Sequence, residues 1–385
     1  MYAEMVRELV AIDMPACEQF VATIQEIWQK GDAFLPIDQR LPVVAREQLV
    51  KDLKVSSVID EFGEKTKLDG GKPTADGDAL VIATSGSTGP PKGVVHTHDS
   101  IKSATKMTGS RLECTAEDHW LACISLAHAG GLSVIFRAQH FGSKLTIGQR
   151  PDRTTIEDAL DKGANLTSLV PSALGAVDIS RFKKVLLGGA RPPEGLAPNT
   201  IVTYGLTETM GGVVYDGSPL DDVEVRLGVD SEIEIRSTSL LRCYRDGTDP
   251  KTSDGWLKTG DLGEIINQRL SVSGRKDDLI NTGGFKVWPI TIENSIKEIE
   301  QVADVVVAST PDKKWGSAVT AWVVMHPDQP NLTLKDIRRH VRSTLPDYCA
   351  PQILFIVNQI PRSSLGKVQM NYLRNLLPIS REMHV

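Results

Sequence analysis

The run Thr84-Ser85-Gly86-Ser87-Thr88-Gly89-Pro90-Pro91-Lys92-Gly93 constrains this chain more than any other stretch. It carries three glycines, four hydroxyls and one lysine, directly after the apolar, strand-length run Ala79-Leu80-Val81-Ile82-Ala83. Glycine lets the backbone turn tightly, so N–H groups and hydroxyls can converge on phosphate oxygens while the lysine supplies compensating charge. The spacing is not that of the G-x-x-x-x-G-K-[ST] loop. A polar surface loop is the plain alternative, and for a generic Gly/Ser-rich run the commoner one, so the segments that accompany this run must decide.

Periodicity divides the chain. From residue 79 to about 200, short apolar runs such as Leu166-Thr167-Ser168-Leu169-Val170 and Lys184-Val185-Leu186-Leu187 alternate with amphipathic stretches. This is the pattern of βα units on a largely parallel sheet. Between 213 and 273, alternation in Val223-Glu224-Val225-Arg226-Leu227 and Glu232-Ile233-Glu234-Ile235 predicts a small antiparallel unit. Residues 62–78 read as a connector, and residues 1 to about 30 as helical, from the spacing of Val6, Leu9, Val10, Ile12, Phe20, Ile24 and Ile27. The last hundred residues form a compact α+β module. In it Ile292, Ile296 and Ile299 make one helical stripe, and Leu334, Ile337, Val341 and Leu345 a second, capped by Thr333. The fold class expected is α/β. A large N-terminal domain (1–276) of mixed and parallel sheets flanked by helices, with a small β-rich subdomain, precedes a small α+β C-terminal domain (277–385).

Charge and cysteines narrow the partners. A net charge of −6 argues against a broad nucleic-acid surface, so an anionic substrate would need locally placed cations. No apolar run reaches the ~18 residues that span a bilayer, and the N-terminus lacks a basic-then-apolar signal pattern. The five cysteines form no C-x-x-C pair, which fits a reducing cytoplasm.

Four further segments follow the loop: Tyr204-Gly205-Leu206-Thr207-Glu208-Thr209; Thr259-Gly260-Asp261; Gly274-Arg275-Lys276-Asp277-Asp278 with Gly283-Gly284-Phe285-Lys286; and Pro361-Arg362-Ser363-Ser364-Leu365-Gly366-Lys367. Any one alone is weak, since an isolated T-G-D is usually a turn. In this order, with the ten-residue loop, they resemble the adenylate-forming superfamily of acyl- and aryl-CoA ligases. That resemblance implies ATP, Mg²⁺ and coenzyme A as reaction partners. A carboxylate attacks the α-phosphate, and the site must neutralise charge building on phosphorus oxygens. It implies that Thr84, Ser85, Gly86, Ser87, Thr88, Gly89, Lys92 and Thr207 hold phosphates, and that Glu208 holds magnesium through hard oxygen donors. It further implies that Asp261 accepts from the ribose hydroxyls, assisted by Arg275, and that Tyr204, within Tyr204-Gly205, stacks on adenine. Gly188-Gly189-Ala190 would let backbone approach adenine and the acyl group, or is simply a strand-to-loop turn. Lys367 would bridge carboxylate and phosphates, and Asp277 would be the hinge about which the C-terminal module turns between two half-reactions. Relatives often dimerise, so a homodimer is an expectation from resemblance.

The acid is read from Ser125 to Arg137 and Tyr204 to Leu220. His128 and Arg137 offer polar contacts where a fatty-acid tunnel would be apolar, and Arg137 could hold a second carboxylate. Helical spacing leaves Arg137 at the edge of the Leu132–Ile135–Phe136 stripe, so a solvated Arg137 and a structural His128 are the alternatives. H-x-x-G-L-S followed by an arginine, with Gly211-Gly212-Val213-Val214-Tyr215-Asp216-Gly217-Ser218-Pro219-Leu220, resembles the o-succinylbenzoate–CoA ligases of menaquinone biosynthesis. This implies an aromatic keto diacid, with His128, Arg137 and Gly212 as substrate contacts. A carrier-loading adenylation enzyme and a non-catalytic adenylate binder are the other readings. Three departures stand out. The front end is shorter than in most superfamily members, Cys243 replaces a common glycine before Tyr244, and Lys286 stands where many relatives have arginine, a planar fork rather than a point donor.

Overall fold

A computed structural model describes residues 6–84, 91–174, 177–312, 315–327, 329–330, 332–362 and 368–383. The chain forms two compact units. The first comprises Met1–Arg226, Glu234–Thr259 and Asn267–Leu270; the second Leu227–Ile233, Gly260–Ile266 and Ser271–Val385.

The first unit holds two seven-stranded sheets. One is ordered Cys243–Tyr244, Lys92–Thr97, Asp78–Thr84, Ala33–Pro36, Leu9–Asp13, Ser57–Asp60, Lys65–Lys67. Its middle strands are parallel, and the edges are antiparallel. Here the helical expectation for the first residues needs correction: Leu9–Asp13 is a strand, and the helix is Glu18–Gln29. Leu9, Val10, Ala11 and Ile12 are a contiguous buried run, as a central parallel strand covered on both faces requires. The helix keeps the predicted apolar face of Phe20, Ile24 and Ile27.

The second sheet is ordered Ser218–Pro219, Gly211–Tyr215, Thr200–Leu206, Lys184–Leu187, Leu166–Leu169, His119–Ala122, Lys144–Ile147. Five strands are parallel, with helices Ala129–Phe141 and Arg153–Asp161 as crossovers, as the βα alternation predicts. Next along the chain is a four-stranded sheet ordered Val223–Leu227, Glu232–Ser237, Leu257–Ile266, Arg269–Arg275.

In the second unit, Val302–Asp312, Gly316–Met325, Ile353–Ile356 and Ser380–Met383 make a four-stranded sheet. Helices Pro289–Lys297 and Leu334–Thr344 bury Ile292, Ile296, Ile337 and Val341 in its core. Thr333 caps the second helix in a box with Asp336, satisfying N–H groups that the first turn leaves open. No helix among the described residues is long and apolar enough to cross a membrane.

Candidate active site

The described residues on either side of the predicted phosphate loop belong to an antiparallel strand pair. Strand Asp78–Thr84 runs out, Lys92–Thr97 returns antiparallel, and Thr84 pairs with Lys92 at the open end. The Thr84 hydroxyl donates to the Lys92 carbonyl at 3.2 Å. Ser85, Gly86, Ser87, Thr88 and Gly89 lie outside the described residues, as does Lys367.

Glu208 sits in the one-turn helix Thr207–Thr209 that ends strand Thr200–Leu206. The turn is tight because Gly205 permits it: a Cβ there would stand 1.9 Å from the Gly211 carbonyl oxygen. The Tyr244 hydroxyl donates to Glu208 Oε1 at 2.9 Å, and the Leu241 N–H donates to the Glu208 carbonyl at 2.8 Å. Lys92 Nζ lies 5.0 Å from the centroid of the same Tyr244 ring, within cation–π range. Tyr244 thus joins the lysine of the loop to the carboxylate of the turn. Sequence reasoning passed over it, although Cys243-Tyr244 marked a departure from the family pattern. Glu208 makes no ion pair among the described residues, so its carboxylate presents an oxygen with uncompensated charge. Such a hard donor fits magnesium.

Gly188 and Gly189 follow strand Lys184–Leu187, with Gly189 at φ +81°, a conformation glycine adopts without strain. Tyr204 and Gly205 lie in strand Thr200–Leu206, and Gly212 in the strand Gly211–Tyr215 that pairs with it.

His128 precedes helix Ala129–Phe141, with Nε2 3.5 Å from Asp38 Oδ2. Asp38 also accepts three hydrogen bonds from Arg40, two from the guanidinium at 2.8 and 2.7 Å and one from the backbone N–H at 3.1 Å. Burial pushes the Asp38 carboxyl up, but hydrogen bonds from His128 and Arg40 outweigh it and hold the group well below the usual carboxylate range. Asp38 is a second residue that motif reading missed, because it lies in the front end that matched no family segment.

Arg137 stands nine residues along the same helix, about 13 Å from His128 at 1.5 Å per residue. It is not solvated: 3% of it is exposed. Its Nη2 donates to Ser168 Oγ at 3.0 Å, and its guanidinium carbon lies 4.5 Å from the Trp120 ring centroid. The titratable groups around it are Tyr215 and Cys114, both pushed up by burial, the thiol to about 11. Neither neutral group answers the charge. Among the described residues Arg137 has no carboxylate partner, and its Nε and the Trp120 Nε1 have no hydrogen-bond acceptor.

In the second unit, Asp261 is 7% exposed and its Oδ1 lies 3.3 Å from Arg275 Nη1. The pair that resemblance assigns to the ribose is therefore together. Gly260 takes φ +72° and donates to Glu232 Oε1 at 3.1 Å. Asp277 lies in the turn Lys276–Asp278, and Lys286 is exposed on the hairpin strand Phe285–Val287.

Residues 63–231 match the AMP-binding enzyme family, and residues 291–367 match the AMP-binding enzyme C-terminal domain. A Mycobacterium tuberculosis protein named "Probable 2-succinylbenzoate--CoA ligase" is 35% identical over 324 residues, spanning 77% of this chain and 84% of that protein. Among solved structures, o-succinylbenzoate CoA synthetase (MenE) from Bacillus subtilis, in complex with the acyl-adenylate intermediate OSB-AMP, matches with TM-score 0.84. Identity there is 22%, over 97% of this chain and 90% of that one. The same Bacillus subtilis enzyme in complex with ATP and magnesium ion gives TM-score 0.82 at 23% identity, over 96% and 90% of the two chains. The solved structures establish the fold; the sequence relative and the two matched segments establish more. The chain belongs to the AMP-binding enzyme family, the adenylate-forming enzymes that its motifs resemble.

Proposed function

We propose that the chain is an ATP-dependent 2-succinylbenzoate–CoA ligase. In the first half-reaction a carboxylate oxygen attacks the α-phosphorus of ATP. The bond to the bridging oxygen breaks, and pyrophosphate leaves with its electron pair. In the second, the sulfur of coenzyme A attacks the acyl carbon, AMP departs, and the thiol proton passes to solvent or product.

The observation that carries the choice of acid is Arg137. A guanidinium enclosed among Trp120, Ser168, Tyr215 and Cys114, with no acidic partner among the described residues, is costly to bury. A dianionic acid repays that cost with a charge-assisted hydrogen bond at its non-reacting carboxylate. A monocarboxylic fatty acid has nothing to place there.

The other roles follow from chemistry. Thr84, Thr207 and Lys92 hold phosphate oxygens, and Glu208, steadied by Tyr244, holds magnesium. Magnesium, when bound, neutralises charge on the phosphates. Tyr204 and the Gly188-Gly189-Ala190 turn flank the adenine, and Asp261 with Arg275 takes the ribose. His128, oriented by Asp38, and Gly212 border the acyl group, and Lys286 contacts phosphate of the nucleotide. Asp277 is the hinge between residues 1–276 and 277–385. Five free cysteines, four of them buried, suit a reducing cytoplasm. Homodimerisation is the assembly to look for by light scattering.

Product analysis tests the reading. With ATP, Mg²⁺, coenzyme A and 2-succinylbenzoate, free 2-succinylbenzoyl-CoA is expected in equal amount to AMP. Adenylate that stays bound without forming thioester would instead indicate carrier loading. No turnover with this diacid, beside turnover with a fatty acid, would remove the substrate assignment.

A further inference from the structure

The strand Lys92–Thr97 leaves the phosphate loop with His96 completely enclosed. Its Nε2 lies 2.8 Å from the carbonyl oxygen of Thr207, 111 positions later in the chain. A carbonyl can only accept, so this nitrogen carries the proton. Its Nδ1 faces the Ser100 hydroxyl at 3.2 Å, and Ser100 belongs to the capping box that starts helix His98–Leu112. Burial pushes the imidazole down to about 4, so the ring carries one proton, and its Nε2–H donates to the Thr207 carbonyl.

The Thr207 carbonyl is a consequential acceptor. It also accepts from the Met210 N–H at 3.0 Å, closing the one-turn helix. It shares a rigid peptide plane with the Glu208 nitrogen, so fixing its direction fixes the direction in which Glu208 leaves the strand. Glu208 is then held at three points: at the peptide that precedes it through His96, at its own carbonyl through the Leu241 N–H, and at its side chain through Tyr244.

We propose that His96 is a positioning residue for nucleotide and magnesium binding, locking the Thr207–Glu208 peptide to the strand that leaves the phosphate loop. The proposal rests on the reading of Glu208 as the magnesium ligand. It extends that reading to a residue that touches neither ion nor substrate. A structural core histidine would contribute stability alone; this one sets the aim of a carboxylate.

Two variants separate these roles. His96→Gln retains an N–H donor near the position of Nε2, whereas His96→Leu fills the space without one. In labelled pyrophosphate exchange, His96→Leu is expected to raise the Mg²⁺ requirement and the ATP KM about tenfold, the size of one buried hydrogen bond. The KM for 2-succinylbenzoate should stay within about twofold, and His96→Gln should return both nucleotide parameters to within about threefold of the parent. Melting temperatures are recorded for each variant. Equal impairment in both variants, equal loss for acid and nucleotide, or a lowered melting temperature with both KM values unchanged would overturn the proposal. Glu208→Gln is measured alongside. If it shifts the Mg²⁺ requirement and His96→Leu does not, only the His96 inference falls. If Glu208→Gln shifts nothing, the magnesium assignment falls, and the inference with it.

Discussion

Replacing Lys367 by alanine is expected to slow adenylate formation by about 10²–10³-fold, the loss typical of one charge-stabilising donor. Thioester formation from supplied acyl-adenylate and coenzyme A should continue near the parental rate. The asymmetry follows from where charge develops. Two anions meet only in the first half-reaction, when carboxylate approaches the α-phosphate, and a cation bridging them lowers that barrier. In the second, the carboxylate has already been neutralised as a mixed anhydride. Lys367 lies outside the described residues, but both stems of its loop are tied down. Arg362 and Val368 form an antiparallel bridge, and the Gln369 N–H donates to the Pro361 carbonyl at 2.8 Å. Arg362 Nη2 also reaches both oxygens of Asp304, at 3.1 and 2.9 Å. Single-turnover measurement of each half-reaction decides it; equal slowing of both would remove Lys367 from its assigned role.

The second large effect is at Arg137, where function and stability are expected to move in opposite directions. Arg137→Met should raise the KM for 2-succinylbenzoate by about 30-fold or more, corresponding to roughly 2–5 kcal/mol for truncating one partner of a buried, hydrogen-bonded charge pair. The ATP KM should not change, because the guanidinium faces Trp120 and Ser168 and touches no nucleotide-binding residue assigned above. Removing a buried charge without an acidic partner relieves a desolvation cost, and methionine fills most of the volume. The melting temperature of the free enzyme should therefore hold or rise, even as the substrate is lost. Steady-state kinetics with thermal melting in the absence of ligands checks both halves. An unchanged acid KM, or a collapse in stability, would contradict the assignment.

Motifs and periodicities made much of this legible in advance. Of the expected stripe Ile292, Ile296 and Ile299, the first two are fully buried on helix Pro289–Lys297 and Ile299 lies partly buried beyond its end; Thr333 predicted the cap of Leu334–Thr344. The βα alternation predicted the five parallel strands of the second sheet. Local signals failed where tertiary burial outweighed them. Leu9-Val10-Ala11-Ile12 carries no period that separates a buried strand from a buried helix, and only its neighbours on both sides decide. Arg137 illustrates a different limit. Helical spacing put it at the edge of an apolar stripe, but strand His119–Ala122 and Tyr215 enclose that edge. Asp38, His96 and Tyr244 were invisible because each acts on a residue 36 to 111 positions away. Hydrogen bonds of that span leave no trace in spacing.

Label from pyrophosphate should enter ATP when the purified protein is given Mg²⁺ and 2-succinylbenzoate, before any coenzyme A is added. Reversible cleavage of the nucleotide by this diacid predicts exchange that depends on both additions. Absence of exchange with the diacid, from protein shown to be folded and to bind ATP, would contradict the account at its root.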